Sequence, residues 1–465
     1  MSAPLSDSRS PDRDSWPASA FGEEAAALLE GRRPGPAVSA LRDWADSGAM
    51  ALTGRPDGPP LAAPGAPAGV LRRAVEAIEA LSGRGADGPI RLPRTELLGE
   101  RAALAGLSRR GPRSAGGSFT VLRTADGWVG VSLARQDDRE LLPALVEGAV
   151  EPDVWTTLRH WALDQCATDA ADRAQLLGIP AAVIMAPTLS TPDEQSSHRT
   201  ATAGFAPAPV VIRGGGLRRH RRRHPLVVDL TSLWAGPLCA RLLGLTGAHI
   251  VKVESPHRLD GARFGPPAFY DLMHTGHASV TLDLTSPTGV AALRRLVDSA
   301  DAVLEASRPR AMRHLGIDAE EAVASGTVWT SITAYGRTGP WQNRVGFGDD
   351  VAAGAGLVVW TDQGPMPCGD ALADPLTGVH AAVATAAALA GDRGCLIDVS
   401  MRDVAAFAAQ GPTEPHVVRK AADDGWWVET EHDTFPVRPP RARPVARPAA
   451  RSGADTERVL ARWCP

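Results

Sequence analysis

A chain of 465 residues with 44% apolar residues, 22% charged residues and a net charge of −4 has the composition of a folded globular protein of about two to four domains. That charge argues against nucleic acid as a partner of the whole chain. Five scattered cysteines (Cys166, Cys239, Cys368, Cys395 and Cys464) form no CxxC pair and exclude a disulfide framework or zinc site, so reduced thiols and a cytoplasmic setting are expected; the absence of a leading apolar run and of any long uncharged apolar stretch excludes a usual signal peptide and a membrane span.

Residues 1–20 are polar, carry Pro11 and Pro17, and are expected to be disordered. A helical spacing (Ala25, Leu28, Leu29) follows and is broken by RRPGP. Residues 47–83 read as a strand or turn, a Gly-Pro loop and a helix. They echo a later part of the same chain, with Gly48, Thr53, Gly58, Pro59, Val75 and Leu81 matching Gly356, Thr361, Gly364, Pro365, Val383 and Leu389. The later copy has Asp374 four residues before Gly378, where the early copy has Gly65 before Gly69, so if that carboxylate does chemistry the early copy cannot. Residues 21–117 are thus a degenerate partial copy plus a linker that ends in RRGPRSAGG.

FTVLRTADGWVGVSLA predicts a hairpin in which Val121 faces Val129, Val131 and Leu133 across a turn at Ala125, Asp126 and Gly127. Helices are expected over residues 141–146, 154–163 and 168–177, then a strand from Gly178, giving a small α+β domain at 118–190. Residues 191–225, ending in RGGGLRRHRRRHP, are expected to be a second linker whose charge run is a solvated connector.

From residue 226 strands and helices alternate: LVVDLT, CARLLGLTG, AHIVKVE, SVTLDLT, GVAALRRLVDSA, DAVLEAS, RAMRHLGI and TVWTSITAYG. That alternation predicts an α/β fold with a doubly wound parallel sheet, helices on both faces, and ligands at the carboxyl ends of the strands. One rim then gathers residues 231–237, 254–258, 305–308 and 335–339. There is no GxGxxG after the first strand, no P-loop, no GxSxG elbow and no HExxH, so the ordinary dehydrogenase, nucleotide triphosphatase and serine hydrolase readings lose ground. Further on, Asp374 and Pro375 open a helix rich in alanine, with Asp374 read as its N-cap at the positive end of the helix dipole. By itself that segment suits a structural cap as well as a functional carboxylate.

VVDLTSLWAGPLCARLLGLTGAHIVKVESP, SVTLDLTSPTGVAALRRLVDSADAVLEASRP, SITAYGRTGPWQNRVGF, GDALADPLTGVHAAVATAAAL and GCLIDVSMRDVA stand in the order of one family across residues 226–410. Here the chain resembles the class III CoA-transferases, the group of formyl-CoA transferase, carnitine CoA-transferase and alpha-methylacyl-CoA racemase. The resemblance implies a Rossmann-like CoA-binding large domain at 226–410. It also makes 118–190 the family's small domain, 411–465 its last segment, and 21–117 a remnant of the large-domain end, so the domain order is rearranged. It implies that Asp374, in the D-x-x-x-G position, is the nucleophile that carries CoA as an aspartyl-CoA thioester between an acyl-CoA and a small carboxylic acid, with no metal. It implies CoA contacts at Leu233, Trp234, Ala235, Leu282, Glu305, Ala306 and Arg308, oxyanion donors at the helix after Asp374 and at Gly116 and Gly117, and a homodimer with no nucleic-acid or membrane partner.

The chain departs from the family where basic residues are expected: Ser255, His277, Thr285 and His314 stand there, and Arg258, Arg308, Arg310 or the run 218–223 would have to substitute. A racemase would need a histidine where Phe347 stands, which favours transfer; the neighbouring Asp349 and Asp350 read as solvated loop acids. Two other readings stay open, a relative that keeps the fold but binds CoA weakly or not at all, and an acyl-CoA racemase or isomerase.

Overall fold

The computed structural model describes residues 23–32, 39–82, 84–85, 88–186, 208–307, 309–422 and 425–464. The expected tail at 1–20 and residues 191–207 of the expected linker lie outside them. Helices α1 (Glu23–Leu29), α2 (Ala40–Asp46), α3 (Pro67–Ser82) and α4 (Glu100–Ala105) come first. Ser39 caps α2 by accepting from the Arg42 amide at 3.3 Å.

Next comes a small antiparallel sheet of β1 (Phe119–Arg123), β2 (Trp128–Ser132) and β3 (Ala181–Val183). The hairpin pairs Phe119 with Ser132 and Arg123 with Trp128, and its turn closes with the Thr124 amide donating to the Gly127 carbonyl at 3.0 Å. Gly130 is glycine because a Cβ there would sit 2.5 Å from the Phe119 ring. Helices α5 (Gln136–Glu140), α6 (Leu142–Val146), α7 (Val154–Leu163) and α8 (Ala167–Leu177) enclose a core of their own around Leu122, Val129, Leu142, Trp155 and Leu158.

The large sheet is built from β4 (Val210–Leu217), β5 (Leu226–Asp229), β6 (His249–Glu254), β7 (Ala278–Thr281), β8 (Ala302–Glu305) and β9 (Val328–Thr333). A hairpin of β10 (Val358–Thr361) and β11 (Gly364–Pro367) then lies outside it, before its last strand β12 (Arg393–Ser400). The order is β4-β12-β9-β8-β5-β6-β7, with all neighbours parallel except the edge pair β4 and β12. Numbered by appearance, the six parallel strands run 3-2-1-4-5-6, the doubly wound order, and the switch point falls between β5 and β8. The crossover helices are α9 (Ala235–Leu245), α10 (Pro267–His274), α11 (Pro287–Ser299), α12 (Pro309–His314), α13 (Ala319–Ala324), α14 (Gly348–Gly354) and α15 (Ala373–Ala390), followed by α16 (Met401–Ala409).

Helix α15 is apolar nearly all round and is buried between neighbours, as such a helix must be. Its small side chains let α9 approach so closely that a Cβ on Gly378 would stand 2.5 Å from the Ala235 carbonyl oxygen. The other flank takes α3, and Val70, Leu71, Val75 and Ile78 join Leu376, Val379 and Val383 in one core with the sheet. Residues 40–105 are therefore continuous with the interior of the large sheet.

Strand β4 comes from the segment expected to be a linker. Its RGGGL sequence works as an edge strand because α13 ends against it: a Cβ on Gly216 would stand 2.0 Å from the Ala324 carbonyl oxygen. The basic run that follows is no solvated connector throughout. The Arg218 side chain is 2% exposed, and Arg218 and Arg222 donate to Asp301 at 3.1 and 2.7 Å. Both sit at the amino ends of the strands, where Arg218 also reaches the Leu389 carbonyl, 15 residues and about 22 Å along α15 from Asp374. These cations cannot substitute at the opposite rim.

After β13 (Val417–Lys420), β14 (Trp426–Glu429) and β15 (Thr434–Pro436) the chain straps the two halves together. Arg443 pairs with the buried Glu100 beside α4, the Ala449 amide donates to Asp271 at 2.8 Å, and α17 (Thr456–Trp463) packs on α11. No described helix is long and apolar enough to cross a membrane.

Candidate active site

The loop before α15 carries the site. Asp374 is the second residue of α15, with Leu372 at the cap position, so it lies inside the first turn and is not the N-cap. Its amide donates to the Ala371 carbonyl at 2.9 Å, and Ala371 has φ 45°, a left-handed conformation that a residue with a Cβ adopts only when its surroundings hold it there. Three contacts do so. The Gly369 amide donates to the Thr53 hydroxyl at 2.9 Å, the Ala371 amide donates to Asp349 at 2.8 Å, and Asp370 receives the Arg101 guanidinium through Nε at 2.8 Å and through Nη2. Thr53 and Arg101 come from the N-terminal part of the chain.

Asp374 as a whole residue is partly exposed, but its carboxyl is buried and takes a hydrogen bond from the Gly348 amide. Gly348 has to be glycine: a Cβ would lie 2.4 Å from Asp374 Oδ2 and 2.3 Å from the Ala371 carbonyl oxygen. Burial pushes the Asp374 carboxyl up to about 7, with Asp349 and Asp370 adding to the rise and Arg101 opposing it. Asp349 and Asp350 are not solvated loop acids. They are 6% and 0% exposed, and burial raises them to about 6 and about 7. Asp350 Oδ1 accepts from the Ser132 hydroxyl at 2.8 Å and from the Phe347 amide at 3.0 Å, while its second oxygen has no partner. The small domain thus docks directly onto the acidic turn, and its neighbouring loop brings Ser114 to Asp349 and sets Gly116 where a Cβ would stand 3.7 Å from Asp370 Oδ1.

The expected CoA contacts divide. Leu233 lies on the rim after β5 with φ 72° and is 40% exposed, its amide donating to Asp260 at 2.9 Å. Beside it a Cβ on Gly261 would be 2.9 Å from Leu233 Cδ2, and Phe264, 79% exposed, continues the same apolar lip. Ala306 is exposed. Trp234 points inward: it is 3% exposed, packs edge-on against Phe269 at 5.4 Å, and carries the Arg101 guanidinium 5.1 Å from its ring centre. Ala235 and Leu282 are buried in the core.

Glu305 is also internal, its carboxylate accepting from the hydroxyls of Ser307 and Ser331 at 2.7 and 2.9 Å and lying 3.6 Å from Arg337. The side chains of Trp234, Leu282 and Glu305 thus lie inside the fold, and the Glu305 carboxylate takes its hydrogen bonds there. Arg308 lies outside the described residues, as does the side chain of Arg310.

Of the positions where cations are expected, His277 is buried without a partner for either ring nitrogen, and burial holds it well below the ordinary histidine range. Thr285 and His314 instead line a cavity of about 420 Å³ with Leu284, Ser286 and Arg294 at the carboxyl end of β7. Arg258 is exposed on the rim beside Ser255.

Under this rim Lys252 is buried, donating to Asp260 at 2.9 Å and to the Thr231 carbonyl; burial opposes its charge, but Asp229 and Asp260 hold the ammonium above its ordinary value. All five cysteines are free thiols, and no group of three or more metal-ligating side chains occurs among the described residues. Sequence reasoning missed Arg101, Asp370 and Gly348. The GDALAD run holds Asp370 four residues before Asp374, a visible signal; Arg101, 269 residues from Asp370, had none.

Residues 225–425 match CoA-transferase family III. The chain is 33% identical over 209 residues to succinate–glutarate CoA-transferase of Agrobacterium fabrum, covering 39% of this chain and 52% of that one. It is 33% identical over 175 residues to succinyl-CoA–D-citramalate CoA-transferase of Chloroflexus aurantiacus, covering 35% and 44%. A solved structure of a CAIB/BAIF family protein from Brucella suis matches at 26% identity over 47% of this chain and 66% of that chain, with a TM-score of 0.40. The chain spans about half the length of the curated relatives it matches. It is residues 225–425, a little under half of the chain, that carry the likeness to CoA-transferase family III.

Proposed function

We propose that the protein is a CoA-transferase that moves CoA between an acyl-CoA and a small carboxylic acid, with Asp374 as the nucleophile. One observation carries the reading: the family's nucleophile position is filled by a carboxylate at the carboxyl end of the sheet, on a residue that is partly exposed, and it is aimed by the Gly348 amide and a strained turn.

The Asp374 carboxylate attacks the thioester carbonyl, giving a mixed anhydride and releasing CoA thiolate. The thiolate attacks the aspartyl carbonyl, forming aspartyl-CoA and freeing the donor acid. The acceptor carboxylate then expels the thiolate to form a second anhydride, and thiolate attack on its acyl carbon releases the new acyl-CoA and restores Asp374. No net proton is consumed, and each step retains the thioester's activation. A carboxyl raised to about 7 is half protonated at neutral pH, so exchange rises with pH through that range.

CoA lies across the switch point. Its pantetheine arm runs along the lip of Leu233 and Phe264, and its phosphates face Arg258 and the cavity of Arg294 and His314. Gly116 and the first turn of α15 supply amides for the developing oxyanions. The protein acts as a cytoplasmic homodimer, and residues 21–117 are the remnant of a duplicated large-domain end.

The test is incubation with an acyl-CoA followed by hydroxylamine and peptide mass spectrometry. A hydroxamate on Asp374, together with loss of CoA exchange in Asp374→Ala, supports the assignment; exchange surviving in Asp374→Ala refutes it. The inward-facing Trp234, Leu282 and Glu305 favour a second reading, a family relative that does not hold CoA. Calorimetry showing no CoA binding by the intact protein would select it.

A further inference from the structure

We propose that Arg101, delivered from the N-terminal part of the chain, is a positioning residue for Asp374: it clamps the loop that presents the nucleophile and sets a positive charge against a cluster of carboxylates. This rests on the reading of Asp374 as the nucleophile. The clamp is geometric first. Nε and Nη2 engage both oxygens of Asp370, whose side chain is 0% exposed, while the guanidinium face lies 5.1 Å from the Trp234 ring centre. The loop at 114–117 closes the remaining side, since a Cβ on Gly116 would stand 3.4 Å from Arg101 Nη2. A planar fork that is stacked and bidentate at once is a task for arginine, which lysine does not reproduce. Because Asp370 immediately precedes the left-handed Ala371, holding Asp370 holds the turn from which α15 and Asp374 start.

The charge is the second half of the role. Asp374 faces Arg101 from α4, Asp370 from its own loop, and Asp349 with the Gly348 amide from α14. Asp350 stands behind Asp349, and His380 lies farther along α15 with Nδ1 2.8 Å from the Leu376 carbonyl oxygen and its ring against Phe407. Asp349 and Asp370 oppose a negative Asp374; Arg101 favours it. Residues 95–117 thereby complete a site whose nucleophile lies on the far half of the chain.

Three full-length variants test this: Arg101→Gln, Arg101→Lys and Asp370→Asn. The readouts are the pH profile of CoA exchange from pH 5.5 to 9 and direct titration of the Asp374 carboxyl by carbon NMR on aspartate-labelled protein, assigned with Asp374→Asn. Arg101→Gln should move both midpoints up by about one pH unit, so that kcat falls about tenfold at pH 6.5 and much less at pH 9, with KM for the acyl-CoA within about twofold. Arg101→Lys should restore the midpoint but only part of kcat, and Asp370→Asn should move the midpoint down.

Loss by one factor at every pH, with the Asp374 titration unmoved, overturns the proposal. If Arg101→Gln does not fold, Asp370→Asn decides: an unmoved midpoint overturns, a lowered one supports. If the wild type shows no exchange, the reading of Asp374 as nucleophile fails, while the NMR titration still decides whether Arg101 governs its charge.

Discussion

Replacing Gly348 with alanine is the sharpest probe of how Asp374, the proposed nucleophile, is aimed. Gly348 opens α14 and does not have a positive φ, so alanine suits its backbone and the substitution acts through contact alone. The new Cβ would lie 2.4 Å from Asp374 Oδ2 and 2.3 Å from the Ala371 carbonyl oxygen, whereas ordinary contact needs about 3.4 Å. The carboxylate and the turn beneath it must therefore retreat by about 1 Å. A misplacement of that size at a reacting group costs on the order of 100-fold, or about 2.7 kcal/mol of barrier. The assay is steady-state CoA exchange between an acyl-CoA and a free acid, with circular dichroism and the melting temperature as controls for folding. kcat should fall about 100-fold while KM for the acyl-CoA changes little, because the lip of Leu233 and Phe264 is untouched. A folded Gly348→Ala protein within twofold of wild type in kcat would refute the claim that this amide and its bare Cα aim Asp374.

At the opposite end of the sheet, Asp301→Ala leaves Arg218 buried without its carboxylate and should destabilise the protein by about 3–5 kcal/mol in urea unfolding. The folded fraction should still exchange CoA, and a loss below about 1 kcal/mol would show that the pair is not needed. Asp350 gives a prediction with a definite sign: its folded-state carboxyl is raised to about 7, so the native protein holds a proton that the unfolded chain gives up near pH 4. Stability from this group is present in acid and is lost as pH rises from about 4 to about 7, by on the order of 4 kcal/mol. Comparing unfolding midpoints at pH 5 and pH 8 should show a decline in the wild type that flattens in Asp350→Asn; equal slopes in the two proteins would remove Asp350 as its source.

Much of this architecture is written locally. The hairpin from Phe119 to Ser132 follows from alternating valines about a turn at Ala125, Asp126 and Gly127. The parallel sheet follows from apolar runs separated by helices with signals such as Ser286 and Pro287, where the Ser286 hydroxyl accepts from the Gly289 amide at 3.1 Å. Motif order also placed Asp374 at the start of a buried small-residue helix, missing its depth in the first turn by two positions because Leu372 occupies the cap.

Nothing in those local periods says which polar side chains will end up inside. Leu233 and Trp234 are adjacent, yet one is a rim residue and the other a buried platform for a guanidinium that comes from 133 positions earlier in the chain. Gly215 and Gly216 of β4 look like linker until α13 is packed on them, and Asp349 and Asp350 look solvated until Ser114 and Ser132 of distant segments cover them. Sequence by itself determined most of the element types and the strand order's class, and it singled out the carboxyl proposed to react, because these depend on short-range periodicity and on motif order. Tertiary structure alone decided the burial and the charged neighbours that push that carboxyl upward and the partners that hold its loop, because such surroundings are set by contacts between residues hundreds of positions apart.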